Sequence, residues 1–267
     1  MNSFVKERTG RVGDRVARIR NRLFAVGKRV PVLLYHRVAD EASQGMERYT
    51  VAPSDFESHL RFLRKARFRA MSLAQWAHRI SAGRPAPARS VVITFDDGYA
   101  NFQTAWTLLR KWGLGATLFV VTAKVGAPQP EPFLDWDDLR VLAGQGLEIG
   151  SHTVTHRSLV GLSEIDRQDE YIGSRADLER LLGIRVQGFS YPYGEFDIAC
   201  RKAASEAGYA FAVTAGWCGT ASFEDGAEFR SSTGMDDVMA IPRLEVRGDM
   251  SLEAFGAAVM DGVTPWR

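Results

Sequence analysis

Two kinds of hydrophobic pattern alternate along the chain from residue 30 onward. Short, continuously apolar runs predict buried strands, and these runs are 31–38, 91–95, 116–121, 147–149, 186–191, 209–214 and 241–246. Between them, apolar residues at helical spacing predict helices, which span 54–65, 72–80, 99–112, 136–143, 163–182, 197–207 and a short segment from 251. Strands separated by helices indicate βα units and a mainly parallel sheet, so we expect an α/β fold. About seven strands over this length favour a barrel, closed or distorted, over an open sheet.

The first 29 residues differ from the rest in pattern and in charge. Apolar residues at positions 12, 16, 19 and 23 have helical spacing, and arginines fill the other faces. Nine basic residues against two acidic ones give this segment a charge of +7, and the whole chain carries +2, so residues 30–267 carry −5. We therefore divide the chain into a basic amphipathic segment, 1–29, and one domain, 30–267. Two interpretations of the segment stay open: a helix on an anionic membrane surface, or a helix packed on the domain with a solvated basic face.

Composition narrows the class of protein. With 267 residues, 45% hydrophobic and 25% charged, the chain has the make-up of a soluble globular protein, which excludes a disordered chain, a collagen-like rod and a coiled coil. The two cysteines, Cys200 and Cys218, predict thiols in or near the core rather than a disulfide. No apolar stretch near the N-terminus has the length of a signal-peptide core or a membrane span. We expect a cytoplasmic protein, peripheral at the inner face of the membrane if residues 1–29 bind it.

A pair of adjacent carboxylates follows the predicted strand 91–95. Residues 94–99 have the sequence TFDDGY, which places Asp96 and Asp97 at the strand end and Gly98 at the exit. Reactive groups collect at the carboxyl edge of parallel sheets. Successive side chains on an extended segment point in opposite directions, so one carboxylate can bind a metal while its neighbour faces a water. Taken alone, the string is equally typical of a turn and a helix start.

A pair of histidines follows the predicted strand 147–149. His152 and His156 are four residues apart, which predicts that they lie on one face of a helical turn, where two imidazoles can share one cation. A histidine pair alone is often incidental. Its position after a strand end, with an aspartate pair at another strand end, indicates a metal site.

Two further strand ends carry candidate residues. After strand 186–191, residues 191–194 (YPYG) predict either a turn with aromatic side chains packed outward or a fixed loop whose Tyr193 N–H points into the site. His36 stands at the end of the first apolar strand. A single histidine there is more typical of a hydrogen-bonded core residue than of a catalytic one. Two aromatic residues near strand ends, Phe133 and Trp217, are likewise more typical of core packing than of a substrate pocket.

Together these strings resemble the polysaccharide deacetylases of the NodB-homology type, carbohydrate esterase family 4, over residues 31–247. The resemblance implies a distorted (β/α)7-type barrel and metal-dependent removal of acetyl groups from N-acetylated sugars. It also implies that Asp97, His152 and His156 bind the metal and that Asp96 is the general base. Zinc is the divalent metal expected for this donor set, although the mixed nitrogen and oxygen ligands also admit Co, Ni or Fe.

The chain departs from the family pattern in two places. Ser190 stands where the family has an arginine that orients the base, and Arg243 is our candidate replacement. No histidine follows His156, so the motif that supplies the general acid is missing from the C-terminal part. The chain therefore resembles the branch in which that motif lies on the first strand, as in poly-N-acetylglucosamine deacetylases, and His36 becomes the expected acid. The oxyanion would be held by the metal and the Tyr193 N–H.

The function expected from this resemblance is hydrolysis of N-acetyl groups on N-acetylhexosamine units of a polysaccharide or a lipid-linked sugar. Two alternatives stay open. The same metal site could act on a small amide, an imide or an O-acetyl ester, because fold and ligands do not determine the substrate. A non-catalytic carbohydrate-binding relative is the other, although such a protein has no need of both Asp96 and Asp97. Nucleic-acid binding is not expected, because only the basic segment would favour it.

Overall fold

The computed structural model describes residues 30–128, 131–215 and 238–261. Residues 1–29, Trp217 and Cys218, on which some of the sequence predictions fall, lie outside the described residues. Cys200 is buried and unpaired by any disulfide. In the described part of the chain, no helix is long and apolar enough to cross a membrane.

The described strands form one large parallel sheet and one small one. The strands are β1 (Val32–Tyr35), β2 (Arg37–Val38), β3 (Thr50–Val51), β4 (Arg69–Ala70), β5 (Ser90–Phe95), β6 (Thr117–Val120), β7 (Glu148–Ser151), β8 (Gly188–Ser190), β9 (Phe211–Val213) and β10 (Leu244–Glu245). The large sheet runs in the order β10-β1-β5-β6-β7-β8-β9, with β4 added beside β5, and β2 pairs with β3. Its consecutive crossovers are those of repeated βα units, which bury the sheet on both faces. This is why its strands are continuous apolar runs rather than alternating ones.

Helices connect most of these strands. They are α1 (Pro53–Lys65), α2 (Leu73–Ser81), α3 (Phe102–Lys111), α4 (Trp136–Gly144), α5 (Glu164–Gln168), α6 (Ser174–Leu182), α7 (Ile198–Glu206) and α8 (Leu252–Asp261). A π-helical segment, Asp169–Gly173, joins α5 to α6. Several helices begin at residues that satisfy the free N–H groups of the first turn; for example, Ser72 and Gln75 form a capping box at α2.

One segment near the C-terminus joins the two edges of the large sheet. Ile241 forms a parallel bridge with Val213 at the end of β9, and three residues later Leu244 pairs with Leu33 of β1. The chain therefore curls into a barrel whose last wall is a short, kinked segment instead of a full strand. The prediction of an α/β fold with a distorted barrel is confirmed.

Two glycines allow the barrel wall to pack closely. A Cβ atom at Gly150 in β7 would lie 2.5 Å from the ring of Phe119, and one at Gly188 in β8 would lie 2.4 Å from the ring of Phe211. Both distances are well inside van der Waals contact, so only glycine fits while these aromatic side chains remain in place. The two strands that carry them end at Ser151 and Ser190, which border the site described below.

The structure differs from the sequence prediction in three local features. Helix α3 begins at Phe102 rather than at residue 99, because Tyr99 forms a bridge with Phe133 and the residues on either side of it are in turns. The predicted long helix 163–182 contains the π-helical segment. The two-residue strands β2, β3 and β4 were not predicted as separate elements, since so few residues leave no periodicity to detect.

Candidate metal centre and active site

Asp97, His152 and His156 come together at the carboxyl edge of the sheet. The Asp97 Oδ1 atom lies 3.6 Å from His152 Nε2 and 3.4 Å from His156 Nε2. The two Nε2 atoms are 3.1 Å apart. One potential ligand atom from each residue therefore lies within 4.8 Å of the other two, which is the spacing that a shared cation requires.

The backbone conformation of this centre differs from the sequence prediction. The histidine pair does not lie on a helical turn: residues 152–157 form a loop, in which Thr153 and His156 have φ angles of +70° and +65°. Asp97 is not extended either, with a φ angle of +75°. Left-handed conformations of residues other than glycine cost of order 1–3 kcal/mol each and persist only where the surrounding structure holds them. Both local predictions were wrong because tertiary contacts determine these dihedral angles.

The histidine loop is held by hydrogen bonds within the loop and from the end of β8. Thr153 Oγ1 accepts a hydrogen bond from the His156 N–H at 2.8 Å. The Ser190 carbonyl lies 2.8 Å from His152 Nδ1, and because a carbonyl only accepts, Nδ1 carries the proton. In the neutral ring, Nε2 then presents its lone pair toward Asp97 and His156.

The charge state of the centre fits a bound cation. Burial, and then the charge of His152, lower the pKa of His156 to about 4, so its imidazole is neutral at pH 7. Asp97 Oδ1 is buried and makes no hydrogen bond within the described part of the chain. An unsatisfied buried carboxylate oxygen is costly, and here it faces two imidazole nitrogens. The three residues therefore form a possible site for a divalent metal ion.

Asp96, beside this cluster, pairs with a buried arginine. Arg243 Nη1 donates to Asp96 Oδ1 and Nη2 donates to Asp96 Oδ2, each at 2.7 Å. This is the two-point geometry that guanidinium and carboxylate groups form best. Arg243 Nε donates to the Thr214 carbonyl at 2.9 Å, so the guanidinium is held on both sides. The Asp96 and Arg243 side chains are 3% and 0% exposed.

Ser190 completes the contacts of this ion pair. Its hydroxyl donates to Asp96 Oδ2 at 3.0 Å and accepts from Arg243 Nη2 at 2.9 Å. Burial alone raises the pKa of Asp96, but the charge of Arg243, followed by that of His152, outweighs burial and brings the pKa well below its usual value. Asp96 is therefore ionised, and its Oδ2 lies 3.7 Å from His152 Nε2, at the border of the metal cluster.

Of the two remaining candidate residues, His36 follows β1 beside the end of β5, and Tyr193 contacts the cluster itself. His36 contributes to the lowered pKa of Asp96 through its charge, and its ring packs edge-on against Tyr49 with the ring centroids 5.0 Å apart. The Nδ1 atom of His36 is buried without a hydrogen bond in the described residues. Tyr193 has a φ angle of +60°, and its exposed ring lies 4.9 Å from the ring of His156.

Other residues considered from the sequence lie elsewhere or have a packing role. Phe133 stacks on Tyr99 at a centroid distance of 4.7 Å. His59 is buried in α1 and stacks on Phe255 of α8. His78 is on α2 with its side chain exposed. Neither histidine belongs to the metal cluster.

Sequence reasoning did not identify the Ser190 hydroxyl as a partner of Asp96. Ser190 was noted only for lacking the expected guanidinium. A small polar residue at the end of a buried strand, where the family pattern has a charge, was the available signal. A residue this small leaves space beside Asp96 for a side chain from another strand.

A curled parallel sheet thus carries a possible Asp–His–His metal site and an arginine-paired aspartate at its carboxyl edge. Residues 83–212 match the family model described as polysaccharide deacetylase. These residues, just under half of the chain, thus match the polysaccharide deacetylase domain of the NodB-homology type, carbohydrate esterase family 4. The resemblance noted in the sequence is thus confirmed, and the family is named for enzymes that remove acetyl groups.

Individual relatives agree with this assignment. YxkH of Bacillus subtilis strain 168 has been assigned by name to the polysaccharide deacetylases. It is 29% identical to this chain over 232 residues, which are 86% of this chain and 76% of that protein. The poly-beta-1,6-N-acetyl-D-glucosamine N-deacetylase of Escherichia coli K12 is 31% identical over 134 residues, but these are 45% of this chain and only 20% of that enzyme. The structure of IcaB from Ammonifex degensii has the same fold, with a TM-score of 0.71 at 20% identity over 88% of this chain and 97% of that one.

Proposed function

We propose that this protein is a metal-dependent hydrolase that removes N-acetyl groups from N-acetylhexosamine units of a polysaccharide or glycolipid. The observation that carries the proposal is the position of an ionised, arginine-held Asp96 beside the Asp97–His152–His156 cluster. A carboxylate that makes no bond to the cluster but borders it is suited to proton transfer. The E. coli relative is named as an N-deacetylase of poly-beta-1,6-N-acetyl-D-glucosamine, which supports the substrate class.

Asp97, His152 and His156 would hold the divalent ion, with zinc first and Co, Ni or Fe as alternatives. When bound, such an ion lowers the pKa of a water ligand and polarises a carbonyl group, the two effects that amide hydrolysis needs. The protein contributes the orientation: the Ser190 carbonyl fixes the His152 ring, and the lowered pKa of His156 keeps its nitrogen available for a metal at neutral pH.

Asp96 is assigned as the general base that accepts a proton from the attacking water. Arg243 is assigned as its orienting residue, in place of the family arginine that Ser190 replaces. Their paired hydrogen bonds of 2.7 Å prevent rotation of the carboxylate. The same pair lowers the basicity of Asp96, so Arg243 favours position and ionisation over proton affinity.

His36 and Tyr193 are assigned to the later part of the reaction. An amide anion is a poor leaving group, so the departing nitrogen needs a proton, which His36 would donate. Tyr35 of β1 pairs with Phe95 of β5, so His36 and Asp96 each follow a paired residue at the same edge of the sheet, which supports this role. The Tyr193 N–H is assigned to the oxyanion that forms on the carbonyl oxygen. The left-handed backbone at Tyr193, adjacent to His156, is the kind of strain found where an N–H is aimed at a reacting group.

Acetate release from a panel of substrates tests the proposal. The panel contains N-acetylglucosamine oligomers, lipid-linked N-acetylated sugars, small amides and O-acetyl esters. Release from the oligomers or from the lipid-linked sugars, without release from the small amides or esters, supports the proposed substrate class. Release only from small amides or esters supports the first alternative, and binding of oligomers without release supports a non-catalytic carbohydrate-binding protein.

Matched variants assign the roles. We expect Asp96→Asn to keep metal but lose nearly all turnover, whereas His152→Ala loses both. His78→Ala, at an exposed histidine outside the cluster, is the control and should keep both. Full activity in His36→Ala would remove the assignment of the acid. Arg243→Lys keeps the charge but not the two-point geometry. Wild-type activity in this variant would show that the charge suffices and that orientation of Asp96 does not matter.

Contact of residues 1–29 with an anionic membrane stays a prediction, because these residues lie outside the described part of the chain. Their charge of +7 is the feature that supports it. The test is extraction of the protein from membranes by high salt. We expect extraction by salt for the full chain and no membrane binding after deletion of residues 1–29. Membrane binding that survives the deletion would contradict the prediction.

A further inference from the structure

The loop that carries both histidines has no regular secondary structure, yet a single buried side chain from outside the loop contacts it at several points. This is Glu170, in the π-helical segment Asp169–Gly173. Its Oε2 atom accepts hydrogen bonds from the Val154 and Thr155 N–H groups at 2.8 and 2.9 Å. Its Oε1 atom accepts from the Thr155 hydroxyl at 2.5 Å and from Arg157 Nε at 2.9 Å.

All four donors belong to residues 154–157, the part of the loop that follows His152 and includes His156. Glu170 is only 2% exposed, so its charge is not solvated by bulk water and is compensated by these donors. Arg157 is largely exposed, but the backbone donors at 154 and 155 are fixed in direction. The carboxylate therefore determines where the chain runs between the two histidines.

A second set of contacts joins the same helical segment to the other end of the loop. The Ser174 hydroxyl lies 2.6 Å from the Ser151 hydroxyl, directly before His152, and donates to the Glu170 carbonyl at 2.7 Å. The π-helical segment contains Glu170 and ends directly before Ser174. Such segments often occur at functional sites. The helix thus holds the loop on both sides of His152.

We propose that Glu170 is a positioning residue of the metal centre, which holds His152 and His156 in binding geometry before the cation arrives. The inference rests on the proposed metal site. Two left-handed residues in one loop, Thr153 and His156, are costly, and the Glu170 contacts hold the chain in this conformation between the two histidines. If Glu170 is removed, the bound metal must order the loop, and its affinity falls.

The experiment compares zinc binding and stability in four proteins. Zinc affinity is measured by competition with a chromophoric chelator, and the stability of the metal-free form is measured by urea unfolding. Glu170→Ala should weaken zinc binding about 10- to 100-fold, the range for groups that orient metal ligands. Glu170→Gln should bind within a few-fold of wild type, because its amide oxygen can still accept from both Val154 and Thr155.

Glu148→Ala is the matched control. Like Glu170, Glu148 is a poorly exposed carboxylate that accepts a backbone hydrogen bond, here from the Ala74 N–H at 3.2 Å. It lies at the amino end of β7, whereas the histidine loop follows the carboxyl end of that strand. We expect this variant to lose stability without a change in zinc affinity. That result separates positioning of the histidines from general weakening of the fold.

Three results would overturn the inference: wild-type zinc affinity in Glu170→Ala, equal weakening in Glu148→Ala, or no recovery in Glu170→Gln. If Glu170→Ala does not fold, Glu170→Asp replaces it. Its carboxylate is one methylene short of the loop, so it should bind zinc more weakly than Glu170→Gln, and the reverse order would overturn the inference. Absence of zinc binding by the wild type would instead refute the proposed metal site, which keeps the two failures distinguishable.

Discussion

Replacing Arg243 with Met leaves the Asp96 carboxylate buried without the guanidinium that binds both of its oxygens. The two side chains are 0% and 3% exposed and share two hydrogen bonds of 2.7 Å. Removing one partner of a buried ion pair typically costs about 3–5 kcal/mol, because the remaining charge is uncompensated. Met fills much of the same volume, so we attribute a loss of this size to charge and not to a cavity.

The loss should depend on pH in a defined direction. In the wild type the pKa of Asp96 is below its usual value, so its ionised form stabilises the fold above that usual value, and this contribution is lost as pH falls through the folded-state pKa. In Arg243→Met, burial is left as the main influence and raises the pKa. The variant is then destabilised as pH rises through its own folded-state pKa, and the difference from wild type should be smaller at pH 5 than at pH 8.

Urea unfolding of the metal-free proteins at these two pH values measures the effect. The cycle includes Arg243→Met, Asp96→Asn and the double variant, which removes both charges. We expect the double variant to be more stable than the sum of the single losses predicts, by about 3 kcal/mol or more. Single losses that add within about 0.5 kcal/mol would refute the argument that the two charges compensate each other.

Three further predictions use other parts of the structure. Burial lowers the pKa of His59 to about 4, so stability should decline by up to about 3 kcal/mol as pH falls from 7 to 4, since only the unfolded chain takes up the proton; a similar decline in His59→Phe, measured by urea unfolding, would contradict this. Zinc at about 100 times its Kd should raise the unfolding free energy of the wild type by about 2.7 kcal/mol, and thermal unfolding should show no such rise for His156→Ala. Gly188→Ala, whose Cβ would lie 2.4 Å from Phe211, should lose about 1–3 kcal/mol, whereas Gly144→Ala, which has open space, should lose almost nothing in the same assay.

The strand and helix pattern could be predicted because a parallel sheet covered on both faces requires apolar strands. The run 91–95 corresponds to β5, Ser90–Phe95, and the run 116–121 to β6, Thr117–Val120. The last wall of the barrel shows the limit of this signal. The run 241–246 predicted one strand, but the chain pairs first with β9 through Ile241 and only then with β1 through Leu244. A switch of partner leaves no trace in hydrophobicity, because both edges are equally apolar.

The grouping of Asp97, His152 and His156 followed from the rule that strand ends meet at one edge of a parallel sheet. Their backbone conformations did not follow from it. Spacing of four residues suggested a helical turn, but Thr153 and His156 are left-handed. For a β-branched residue such as Thr153, no local preference favours that state. It results from contacts with residues distant in sequence, above all the Glu170 carboxylate, so a local pattern could not predict it.

Glu170 and Arg243 show two different routes by which such distant residues could be found. Arg243 could be predicted because Ser190 stands where the family has an arginine that orients the base. Another arginine near the start of a predicted strand was then the candidate to pair with Asp96. Glu170 could be found by a different signal, a charged residue on the buried face of a helix. It lies four residues before Ser174 and eight before Leu178, both buried on the inner face of the helix, where a carboxylate needs a partner. A charge on an apolar helical face indicates that the neighbouring segment has N–H groups without partners of their own, and here that segment carries both histidines.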